Sequence, residues 1–182
     1  MLARNPASTR YHPMAQADPP ILGQSAGPIP FSTRREARDL AAGLARQARH
    51  DLAVYSHDLD PALYDQRPFL DALAALARGH RCSVRILCRD ARRAVVEGHR
   101  LVELARRFTS CLQVRRVPDH LQDTPEAWLV ADARGWLYRP EAGRFEGVAD
   151  FDAPHRAREL LDLFQEVWEH SEPEPELRRL YL

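Results

Sequence analysis

With 182 residues, 45% of them apolar, the chain has enough material for one domain with a core, plus tails. Its 26 basic and 26 acidic residues balance, so net charge gives no support for binding nucleic acid or a membrane surface. Every basic residue is arginine, which closes mechanisms built on a lysine amine, such as a Schiff base or a P-loop phosphate clamp. No apolar run approaches the ~18 residues of a membrane span, and the N-terminus lacks the apolar stretch of a secretory signal. Cys82, Cys88 and Cys111 are odd in number and show no metal-ligand spacing. Reduced thiols in a cytosolic protein are the expectation, with neither metal nor cofactor.

Residues 1–30 hold six of the 14 prolines and no periodicity, the composition of a disordered arm. Thr33 and Glu36 have capping-box spacing, and the stripe Ala37, Leu40, Ala41, Leu44, Ala48 predicts a helix behind them. LAVYSH (52–57) predicts a buried strand. PFLDALAALARG (68–79) predicts a helix that starts at proline and stops at glycine. CSVRILC (82–88) predicts a second strand, GHRLVELARRF (98–108) an amphipathic helix, and LQVRRV (112–117) a third strand. AWLVAD (127–132) and GWLYR (135–139) predict a β-hairpin with Gly135 closing the turn. Asp152 then has the position of a cap for a long helix whose apolar face includes Leu160, Leu161, Phe164, Val167 and Trp168. Strands alternating with helices predict an α/β domain over 31–172, with a mixed, mostly parallel sheet covered by helices on both faces. Residues 173–182 form a tail.

In such sheets ligands sit beyond the carboxyl ends of the strands. The candidate site residues are therefore those that follow each strand: His57, Asp58, Asp60, Arg89, Arg92, Arg93 and Asp132. His99 and Arg100 join them at a helix start, where free N–H groups attract anions. Each has a plainer use. Asp58 and Asp60 can cap the next turn or hold a cation. Asp132 can open the hairpin turn, and His57 can serve as a structural hydrogen-bond partner or a base. Arg115, Arg116, Arg139 and Arg144 either converge with the other arginines on a phosphate or lie on a solvated surface. Trp128 and Trp136 suit core packing across the hairpin better than base stacking.

SHDLDPALYD after the first strand, FLDALAALARGHRCSVRILCRD and the closing LFQEVWEHSE resemble one half of a phospholipase D superfamily protein over residues 33–171. The stretches YSHDLDP, GHRLVELARR and SEPEPELRRLYL are similar to those of an uncharacterised bacterial group of short phospholipase-D-like domains, some of them joined to an acetyltransferase domain. The resemblance implies the fold. It implies activity only where HxKxxxxD and a following GSxN are present. With the aspartate on Asp132, the histidine position is Pro125, the lysine position is Ala127, and GSxN falls on Arg139, Pro140, Glu141 and Ala142. The nucleophile and its phosphate-binding partner are both missing.

The function expected is a catalytically silent module that binds a phosphate-containing ligand or a protein partner. One rival is a non-standard phosphodiesterase or hydrolase using His57 or His99; another is a regulatory module for an acetyltransferase. Active members of the superfamily bring two motif copies together, so the resemblance also implies a homodimer.

Overall fold

The computed structural model describes residues 18–79, 82–121 and 124–174. Eight strands form one sheet in the order β1-β7-β6-β5-β2-β3-β4-β8. Its centre is β2 (Asp51–Ser56), β3 (Ser83–Cys88) and β4 (Leu112–Arg116), all parallel. The connections cross one face through α2 (Pro61–Tyr64) and α3 (Arg67–Ala77), then through α4 (Arg92–Val96) and α5 (Arg100–Arg107). β5 (Ala127–Ala131) runs antiparallel to β2 and begins the meander β5, β6 (Gly135–Arg139), β7 (Gly147–Asp150). β1 (Ile29–Phe31) pairs with β7, and the short β8 (Glu172–Pro173) pairs with β4.

The sheet is thus mixed, as expected, but only two of its pairings are parallel. The expectation of a mostly parallel sheet overlooked β1, β7 and β8. These strands have two to four residues, too few for a period-2 pattern to emerge.

Alternation sorts the side chains. Leu52 and Val54 of β2, with Leu129 and Ala131 of β5, face the larger core, covered by α1 (Arg34–Gln47), α3 and α5. Ala53, Tyr55, Trp128 and Val130 face the other way, beneath α6 (Pro154–His170). Covering both faces buries every residue of β5. Trp128 packs edge-on against Phe164, and its cross-strand partner is Tyr138; Trp136 lies opposite Val130. The capping box of α1 forms as read, Thr33 and Glu36 each satisfying the other's backbone.

Several details differ from the sequence reading. Residues 18–30, assigned to the arm, contain a turn fixed by the Gly23 N–H to Phe151 carbonyl bond (2.8 Å). Leu22 packs on the core there and Gln47 bonds its backbone N–H. Residues 1–17 and 175–182 lie outside the described residues. Asp152 does not cap α6; Ala153 is the N-cap, and Asp152 instead pairs with Arg134 at 2.9 Å. The hairpin turn is carried by Asp132 and Ala133, both at φ near +50°, the backbone of a type I′ turn. Gly135 is required for space rather than turn geometry: a Cβ there would lie 2.5 Å from Leu22 and 2.6 Å from Leu44. Cys82 and Cys111 form a disulfide, against the expectation of reduced thiols. The parallel strands β3 and β4 enter the sheet side by side, which brings their preceding residues to a Cα–Cα distance of 5.7 Å. Among the described residues no helix is long and apolar enough to cross a membrane.

Candidate functional site

At the carboxyl end of β2 the chain turns sharply. Leu59 adopts φ +58°, a left-handed conformation that costs a branched residue about 1–2 kcal/mol. Its N–H is held by the Ser56 hydroxyl and its carbonyl by His99 Nε2. The turn places Asp58 and Asp60 on either side of a buried leucine. They face an open cleft of about 750 Å³ together with His57, Arg89, Arg93 and Gly143.

His57 contacts the Thr124 carbonyl through Nε2 at 3.2 Å. Burial, then the Arg89 guanidinium, holds the ring below its ordinary pKa, so it is neutral near pH 7. Arg89 Nη2 donates to the Thr124 hydroxyl (3.1 Å), and its Nε is buried without a partner. Asp60 caps α2 through Oδ1 and accepts from Arg139 Nη1 through Oδ2 at 3.1 Å. Arg139 is 1% exposed. It also donates to the Arg144 carbonyl and lies over the Phe145 ring, while Nε and Nη2 have no hydrogen bond. The buried Tyr64 hydroxyl lies close by, its pKa pushed up to about 12 by burial. Asp58 has no ion pair or hydrogen bond among the described residues.

The predicted residues therefore divide. The structure brings His57, Asp58, Asp60, Arg89 and Arg93 to one cleft. Arg92 is engaged by Asp90 and Arg93 by Glu97. His99 is not an anion ligand: it is 4% exposed and caps α5, accepting the Leu101 N–H at Nδ1 (3.2 Å). Arg100 is turned onto Asp65 at 2.9 Å. Asp132 lies at the opposite edge of the sheet, because β5 runs antiparallel to β2. There it accepts the N–H groups of Arg49, His50 and Asp51 at 2.8–2.9 Å. Arg115 stacks over Trp168, Arg116 pairs with Asp119, and Arg144 pairs with Glu141. Among the described residues no group of His, Cys, Asp and Glu could hold a metal.

Arg34, Gly143 and Phe145 were missed as members of this region; Arg139, one of the arginines considered for a phosphate site, lies buried beside it. Arg139 had a signal in its position at the first residue of the GSxN window. Its strand register adds another, because it lies directly opposite Ala127, the lysine position.

The architecture is that of a phospholipase-D-like domain. The fold is similar to Nuc from Salmonella typhimurium, described as a phospholipase D family member, at a TM-score of 0.54, 14% identity, 81% of this chain and 99% of that one. It is likewise similar to NucT from Helicobacter pylori, at a TM-score of 0.57 and 11% identity, over 81% of this chain and 99% of that chain. The archaeal chromatin protein TrmBL2 matches at a TM-score of 0.59 and 10% identity over 81% of this chain, which spans only 54% of that chain. By sequence, residues 33–180 match the model of a domain of unknown function, DUF7931, and the chain belongs to that family. No curated protein matches the sequence.

Proposed function

We propose that this domain is a catalytically silent phospholipase-D-like module that binds a phosphate-type anion in the cleft at the carboxyl end of β2. The reading rests on Arg89 and Arg34, which line the cleft, with Arg139 buried behind Asp60. Where the resemblance calls for a lysine on β5, this chain has Ala127, and the neighbouring strand directs a buried guanidinium from the facing position. The cation is kept while the nucleophilic histidine position is Pro125. A guanidinium offers a bidentate fork to a phosphate but cannot take part in proton transfer near neutral pH. Arg89 and Arg34 add charge at the cleft wall.

The test is calorimetric titration of inorganic phosphate and glycerol phosphate into the wild type, Arg89→Ala and Gly143→Phe. A Cβ at Gly143 meets nothing within 4 Å, so a bulky side chain there fills the cleft without disturbing the core. Losing a charge-assisted bond worth about 1.5–3 kcal/mol weakens binding by roughly tenfold or more in Arg89→Ala, and Gly143→Phe abolishes it. A chromogenic phosphodiester is not turned over. Turnover that disappears in His57→Ala would replace this reading with the unusual hydrolase. No binding at millimolar phosphate would leave the protein-interaction module.

A further inference from the structure

A second cavity, of about 470 Å³, opens on the α6 face of the sheet. Its floor is Tyr55 and Trp128, stacked at 5.6 Å with their planes 14° apart. Leu121, Leu163 and Val167 form apolar walls. Leu163 is 51% exposed, one of only three large apolar side chains left so open among the described residues. The polar lining is Glu126 and Glu166, with Thr124, His120 and His170. Arginine makes up 26 of the chain's 182 residues, yet none lines this cavity. Among the described residues the Glu166 carboxylate has no cationic partner and the Glu126 carboxylate accepts only the Tyr138 hydroxyl.

From this composition we infer that the cavity is a binding site for a small organic cation with an apolar body, an aryl- or alkyl-ammonium. The volume falls within the range of small-molecule sites. Aromatic rings, apolar walls and two carboxylates are what such a cation needs: the rings attract it electrostatically, and the carboxylates complement its charge. An anion would face uncompensated like charge, and a neutral molecule would gain only the walls. The site is distinct from the phosphate cleft. Thr124 lies between them, taking the Arg89 hydrogen bond on one side and lining the cavity on the other.

The experiment uses the full chain and three probes of similar size: benzyltrimethylammonium, benzyl alcohol and benzoate. Each is titrated by calorimetry and by the indole N–H resonance of Trp128. Benzyltrimethylammonium is expected to bind about tenfold more tightly than either other probe. Leu163→Arg places a cation at the rim and abolishes the binding, and phosphate titration is unchanged. Glu166→Gln, an exposed substitution, weakens it severalfold and decides the matter if the first variant does not fold. The proposal is overturned if the ammonium does not bind at low millimolar concentration. It is equally overturned if the alcohol or benzoate binds as tightly, or if the folded variants bind as the wild type does.

Discussion

His99 holds two chain segments at once. Nδ1 caps α5 and Nε2 donates to the carbonyl of the strained Leu59, so the ring must be neutral. Burial lowers its pKa, opposed in part by Asp65. A folded-state pKa below the unfolded value of about 6.5 means that the unfolded chain binds the proton more readily. The resulting stability is complete above pH 6.5 and is lost as pH falls below it. His57 is shifted in the same direction and adds to the slope. Thermal midpoints measured between pH 7.5 and 5.5 should therefore fall. His99→Ala should lower stability at pH 7.5 by about 2–3 kcal/mol, since it removes a cap and leaves a buried carbonyl unpaired, and it should flatten the pH dependence. A variant that keeps the full slope would assign the titration elsewhere. In the sequence His99 read as an anion ligand, because a histidine at a helix start looks the same whether its ring turns outward or inward. Only the position of Leu59, forty residues away, decides between them.

Among the elements, the hairpin is the one whose sequence is least matched to its backbone. A type I′ turn wants φ above zero at both central residues, and Ala133 meets this only with strain. Ala133→Gly should raise the thermal midpoint, by the equivalent of about 0.5–1 kcal/mol after the added chain entropy of glycine is subtracted. A lower midpoint would mean that the turn is not left-handed at that residue. The regular elements were legible because each is long enough for its period: α1, α3, α6 and the central strands β2 to β6 fall where apolar spacing placed them. The short strands β1, β7 and β8 carry no such pattern and exist because a neighbouring edge is available. The Cys82–Cys111 bond was illegible for a similar reason, since it depends on β3 and β4 lying side by side. The cleft was half legible. The rule that ligands sit at strand carboxyl ends found His57, Asp58, Asp60, Arg89 and Arg93, but misplaced Asp132, whose strand runs the other way.

For the whole molecule, the pairing of Ala127 with Arg139 bears on whether the HxKxxxxD pattern can be built into this fold. Directly opposite residues on paired strands have Cβ atoms about 4.5–5.5 Å apart, and like charges there are destabilising. Ala127 is fully buried and the arginine fills the space beside it. Writing histidine and lysine into positions 125 and 127 would set two cations against each other around one Asp60, in a volume packed for one. Pro125→His/Ala127→Lys should therefore unfold at a lower temperature than the wild type and show no phosphodiesterase activity. Adding Arg139→Ser to the pair should recover much of the midpoint. A double variant as stable as the parent would show that the arginine is no obstacle. If the obstacle is real, positions 127 and 139 constrain each other: a lysine at 127 is accommodated only once the arginine opposite it is gone.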